Sequence, residues 1–185
     1  MAVSVYFVRH GKAVAAWGTD PDPGLDDTGT AQARAMADEL GTLGPLRLLT
    51  SPKRRARETA AALEMVWGAP AKLEPRATEV AARLDQDPAE RRVWLDELMA
   101  GKWTDPGAEE LAEWRKNLIS AVGNMTEDTV VASHFVAINV LAGHAMNDDR
   151  VIVFRPDHCS VTRFSVADGQ ISLAELGREV VTEVL

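Results

Sequence analysis

The chain is short of cysteine: Cys159 is the only one in 185 residues. No intrachain disulfide and no thiolate metal cluster can form, which suits a reducing cytoplasm. It also lacks an apolar run able to span a bilayer, since the longest apolar-looking stretch, 129–146, contains His134, Asn139 and His144. The first residues enter a strand-forming run directly, with no basic segment followed by a leader-like apolar one, and a cytoplasmic location is expected. Positive charge is in deficit, with 20 Lys and Arg against 28 Asp and Glu for a net charge of −8. Nucleic acid or an anionic membrane would be repelled at long range, so neither is expected as a partner. Dense metal-ligand spacings such as HxxxH or HxD are missing as well, and no metal or cofactor is implied. No repeat or low-complexity tract divides the chain. What remains, 46% apolar and 26% charged residues, is the composition of a globular protein. Residues 1–185 read as one domain, with 80–106 as a candidate small cap.

Strands alternate with helices along this domain. VSVYFV (3–8) is a run of strand formers. A helix follows from about Thr28 to Leu43, with Ala35, Met36, Leu40 and Leu43 on one face. LRLLT (46–50) reads as a second strand. Ser51-Pro52 then offers an N-cap and a first-turn proline for a helix that Gly68 and Pro70 stop. AKLEPR (71–76) reads as a third strand, and 80–106 as a segment with a helix between its prolines. Leu111, Trp114, Leu118, Val122 and Met125 recur at helical spacing over 107–125. TVVAS (129–133) is a continuous apolar strand followed by a helix to about Ala145, and VTRFSV and ISLAEL form a hairpin across Asp168-Gly169. The alternation predicts an α/β fold, an open and mainly parallel sheet covered by helices on both faces, with ligands at the carboxyl ends of its strands.

Three strand ends carry the chemistry. The first breaks into Arg9-His10-Gly11, the second into Thr50-Ser51-Pro52 ahead of Lys53-Arg54-Arg55, and the strand at 129–133 into His134. Parallel strands put all three on one edge, so two histidines and several cations converge. Arginine presents a planar fork of donors suited to phosphate oxygens. A neutral imidazole has a lone pair for nucleophilic attack, and Gly11 permits a sharp turn and close approach. Basic residues in the first turn of a helix are unfavourable against its dipole, and a bound anion would reverse that. Lys53 and Arg54 could equally form a solvated basic face.

FVRHG (7–11), TSPKRRARETA (50–60), Glu79 after a third strand and VVASH (130–134) together resemble the histidine phosphatase superfamily, the phosphoglycerate-mutase-like proteins. LDDTGTAQA (25–33) is similar to that family's LTxxGxxQA helix start. The resemblance implies a three-layer α/β/α sandwich and a reaction through a phosphohistidine. It makes His10 the nucleophile and places Arg9, Arg55 and His134 around the phosphoryl oxygens. Glu79 would be the proton donor to the leaving group and then the base for water, with Glu74 and Asp85 as alternatives.

The sequence departs from the family pattern in several places. Phe135 stands where glycine is usual after the late histidine and makes that wall of the cleft bulkier. Lys12 stands where an acid is common, VAARLD follows Glu79 in place of a glycine-and-tryptophan segment, and PGAEEL precedes the long helix. Arg115 falls where the family often has an arginine near the site. Ser160 resembles a small polar residue ahead of a late strand and is a candidate site contact. His144 and His158 read as structural or solvated, Trp94 and Trp103 as packing residues, Cys159 as inert, and Trp17 as a possible border of the cleft. The expected activity is metal-independent hydrolysis of a small phosphomonoester or a phosphorylated side chain. A mutase, a non-catalytic phosphate-binding protein and, less favoured, a metal hydrolase are the alternatives. Residues 12–27 leave little room for a lid between Gly11 and Thr28, which favours hydrolysis over mutase chemistry. The sequence leaves the oligomeric state open.

Overall fold

The computed structural model describes residues 1–15, 20–81 and 87–180. Along the chain the elements are β1 (Val3–Arg9), α1 (Asp27–Gly41), β2 (Arg47–Thr50), α2 (Arg54–Trp67), β3 (Lys72–Leu73), α3 (Pro88–Ala100), α4 (Ala112–Gly123), β4 (Thr129–Ser133), α5 (Phe135–Met146), β5 (Val161–Ala167) and β6 (Gln170–Glu175). Short 3₁₀ helices at Pro75–Ala77 and Ala108–Leu111 complete the list. The strands form one sheet in the order β3-β2-β4-β1-β5-β6. β3, β2, β4 and β1 run parallel, while β5 pairs antiparallel with β1 and β6 with β5. The expected α/β/α sandwich with a mainly parallel sheet is the observed fold.

Side-chain alternation along the strands divides the core. From β1, Val5 and Phe7 enter the cluster shared with α4 and α5, where they meet Leu118, Val122, Ile138 and Leu141. Val8 points to the opposite face, against Met36 and Leu40 of α1 and Leu63 of α2. β4 splits likewise, Val131 to the first face and Val130 to the second. Phe7 and Phe164 meet edge to face at 6.0 Å, a geometry worth about 0.5–1.5 kcal/mol beyond burial. The same alternation carries past the end of β1: Arg9 emerges on the side of α5 and His10 on the side of α2.

The structure corrects three local expectations. α2 does not start at Ser51-Pro52: it begins at Arg54, Lys53 gives it no side-chain cap, and Asp22 from a distant loop accepts the Arg54 N–H at 2.8 Å instead. The third strand shrinks to Lys72–Leu73, because Pro75 opens a 3₁₀ helix that Glu74 caps. The helix predicted over 107–125 starts as 3₁₀, becomes α-helical at Ala112 and ends at Gly123. The helix foreseen within 80–106 is α3, capped by Asp87, whose side chain accepts the Ala89 N–H. No helix among the described residues is long and apolar enough to cross a membrane.

Candidate active site at the carboxyl edge of the sheet

Strand register brings the candidate residues together. Arg9 pairs with Ser133, and Ala132 with both Val8 and Thr50, so His10, Ser51 and His134 are the next residues out of three adjacent parallel strands. β5 runs the other way, with Val161 opposite Val8. The residues just before it, 158–160, therefore reach the same edge, and the Cys159 N–H donates to the Arg9 carbonyl at 2.9 Å.

His10 is buried and held at both ring nitrogens. Nδ1 lies 2.8 Å from the Gly11 carbonyl, and the Arg55 Nε–H donates to Nε2 at 3.0 Å. A carbonyl can only accept and a guanidinium can only donate, so the proton is on Nδ1 and the lone pair on Nε2. Burial, then the charge of Arg55, hold the imidazole well below its usual pKa, keeping it neutral around pH 7. The Gly11 N–H donates to Thr59 Oγ1 at 3.0 Å, and that hydroxyl donates to the Arg55 carbonyl. Thr59 thus ties the loop carrying His10 to the helix carrying Arg55.

Gly11 has a reason for being glycine other than the expected one. A Cβ there would stand 2.6 Å from the Gly29 carbonyl oxygen, so the close approach it permits is that of α1. Gly11 does not line the cleft.

Arg9 is fixed from several sides. One terminal nitrogen donates to the Pro156 carbonyl at 2.8 Å and the other to Nε2 of His158 at 3.0 Å. Its guanidinium carbon lies 5.0 Å from the centroid of the Phe135 ring, so the residue replacing the family's glycine becomes a cation–π support. His158 is not the peripheral residue the sequence suggested. It lines the cleft, its ring centre 6.1 Å from that of His10. Burial, then Arg9, bring its pKa down to about 4. The signal was available in principle: an antiparallel strand beside β1 begins where β1 ends, so the residues before Val161 had to reach this edge.

Glu79 lines the cleft and is buried. Its carboxyl oxygens accept the Val80 N–H at 3.0 Å and the Val136 N–H at 3.1 Å. Burial outweighs these bonds and the nearby arginines, and its pKa is raised. Glu74, the first alternative, is bound through both oxygens to Arg76, which lowers its pKa, and it does not face the cleft. The other alternative, Asp85, lies outside the described residues, as does Trp17.

His134 is fully buried at the start of α5, in edge contact with His10 at 5.2 Å between ring centres. Its Nε2 is 2.7 Å from Ser51 Oγ, while Nδ1 has no partner among the described residues. Ser51, read as a helix cap, accepts the Lys53 N–H on its Oγ at 3.3 Å ahead of α2 and shares that hydroxyl with His134. Ser160 is brought near through its main chain: its carbonyl accepts the Arg9 N–H at 3.2 Å. Its buried Oγ lacks a hydrogen-bond partner among the described residues and lies 3.0 Å from where a Gly177 Cβ would be, off the cleft wall.

These groups open into a cleft of about 780 Å³. Of the basic run before and into α2, Arg55 and Lys53 line it, whereas the exposed Arg54 pairs with Glu58 at 2.6 Å. Arg92, Leu95 and Met99 of α3 form part of the wall. Arg115 does not reach it; its guanidinium stacks 4.1 Å over Trp103. Trp103 is buried and Trp94 packs on the main core cluster. His144 is exposed on the last turn of α5. Burial pushes the Cys159 thiol up to about 12, which leaves it unreactive.

The chain is 27% identical over 160 residues to the probable phosphoglycerate mutase GpmB of Photorhabdus laumondii, covering 76% of this chain and 74% of that protein. Its fold matches Bacillus stearothermophilus YhfR with a TM-score of 0.76 at 19% identity, over 97% of this chain and 98% of the other. A mycobacterial glucosyl-3-phosphoglycerate phosphatase matches with a TM-score of 0.73 at 19% identity, over 97% and 100% of the two chains. The model of the histidine phosphatase superfamily, branch 1, matches residues 5–179. With nearly its whole length matched, this chain belongs to the histidine phosphatase superfamily.

Proposed function

We propose that the protein is a metal-independent phosphatase that hydrolyses a small phosphomonoester, or a phosphorylated side chain, through a phosphohistidine at His10. The observation that carries this reading is the pair of bonds on the His10 ring. The Gly11 carbonyl holds the proton on Nδ1, and the Nε2 lone pair faces Arg55. An arriving phosphate dianion draws the Arg55 guanidinium onto its oxygens and uncovers Nε2, which attacks phosphorus. The bond from phosphorus to the ester oxygen breaks as the protonated form of Glu79, whose pKa burial raises, gives its proton to that oxygen. The ring becomes cationic when phosphorylated, and its Nδ1–H bond to Gly11 strengthens. The Glu79 carboxylate then takes a proton from water. The water oxygen attacks phosphorus, the N–P bond breaks, and neutral His10 and inorganic phosphate result.

Arg9 and Arg55 supply the charge that equatorial oxygens need in phosphoryl transfer. Among the described residues no three His, Cys, Asp or Glu side chains gather as a metal-ligand set. His134, beside His10 and with Nδ1 unpartnered among the described residues, is a further contact for the phosphoryl group. Turnover of p-nitrophenyl phosphate with and without excess chelator tests the reading, and equal rates are expected. Loss of activity with chelator would place a metal in the reaction. Binding of phosphate without turnover of any monoester would make the protein a binding module.

A further inference from the structure

We propose that the group esterified to phosphate in the preferred substrate is apolar and uncharged, an aromatic or branched hydrocarbon tail, and carries no second acid. This rests on the phosphatase reading above and extends it to the leaving group. A cleft of about 780 Å³ has the size of sites that enclose a whole organic ligand, far more than a phosphoryl group occupies. Next to Arg9, Arg55 and Glu79 its wall is apolar: Val80 and Val136 flank Glu79, Phe135 lies under Arg9, and α3 contributes Leu95 and Met99.

The lining charges point the same way. Among the described residues, the cations beyond Arg9 and Arg55 are each already turned to an acceptor of the protein. Lys12 pairs with Asp26 at 3.2 Å, Arg92 with Asp96 at 2.9 Å, and Lys53 Nζ donates to the Pro21 carbonyl at 3.4 Å. Asp20 adds a negative charge to the wall. A carboxylate tail would give up its hydration for hydrocarbon and for Asp20. A hydrocarbon tail gains by leaving water, and Met99 can adapt to its shape.

Two non-hydrolysable probes separate tail recognition from turnover: 2-phenylethylphosphonate and 3-phosphonopropionate, titrated calorimetrically into the full-length protein. The aromatic probe is expected to bind at least about tenfold tighter, the discrimination of one well-buried apolar group. Met99→Lys, which removes apolar wall and offers a cation to the carboxylate, is expected to narrow that preference to below about threefold. Equal or tighter binding of the carboxylate probe by the wild type overturns the proposal, as does an aromatic preference that both Met99→Lys and Leu95→Gln leave intact. Turnover of p-nitrophenyl phosphate is measured alongside. Turnover without aromatic preference defeats this inference alone, whereas aromatic preference without turnover defeats the phosphatase reading and leaves the tail assignment standing.

Discussion

The Arg55 Nε–H donates to Nε2 of His10 at 3.0 Å, so the cation that would bind the phosphoryl group also masks the lone pair that would attack it. Arg55 thereby helps hold the ring with its proton on Nδ1 and, after burial, contributes most to lowering its pKa; in the proposed reaction it turns to the arriving phosphate. Arg55→Ala is expected to lower kcat/KM by about 100-fold or more, the cost of a charge-assisted contact that tightens in the transition state. It should also raise the pKa of His10, moving the acidic limb of the pH profile upward, since Arg55 is the largest charge depressing it. A loss below about threefold, with the acidic limb unmoved, would remove Arg55 from the reaction.

Glu79 is expected to show its role through the leaving group. A good leaving group departs without a proton, and a poor one needs it. In single-turnover measurements Glu79→Gln should slow release of alkyl alcohols strongly and of p-nitrophenol much less. Equal losses for both would argue against an acid. In the wild type the raised pKa of Glu79 means that the protonated, active form persists above the ordinary glutamate range and is lost at higher pH. The alkaline limb with alkyl substrates should therefore disappear in the variant.

The strand ends and their convergence were legible because apolar, strand-forming runs break abruptly into Arg9-His10, Ser51 and His134, and parallel strands leave one edge for all three. What was not legible depended on contacts across the fold. Ser51 looked like a cap; its hydroxyl accepts the Lys53 N–H but also meets His134, 83 residues away in sequence. Gly11 looked like a ligand-facing glycine, yet it accommodates the Gly29 carbonyl. His158 and Pro156 grip Arg9 only because β5 runs antiparallel beside β1. Sequence spacing alone carries no record of such long-range partners.

Buried His10 and His134, with half-buried His158, make stability depend on acid. His158 titrates near 4 in the fold against 6.5 when unfolded, and His10 and His134 are also held well below the usual value. Between those limits the unfolded chain binds more protons, so stability rises with pH and is progressively lost as pH falls below 6.5. Solvent around the half-buried His158 screens its charge, so it supplies only part of this loss. His158→Asn should make the fall in Tm between pH 7 and pH 4 shallower. An unchanged slope would show that His158 is not held against Arg9 as found.

The central claim, that His10 carries the phosphoryl group, is tested most directly by rapid quench of wild-type protein with labelled phosphomonoester, followed by peptide mapping. The expected result is an acid-labile, alkali-stable phosphate on the peptide containing His10, formed within one turnover and absent in His10→Ala. The contradicting result is substrate turnover with no such species trapped, together with near-normal activity of His10→Ala.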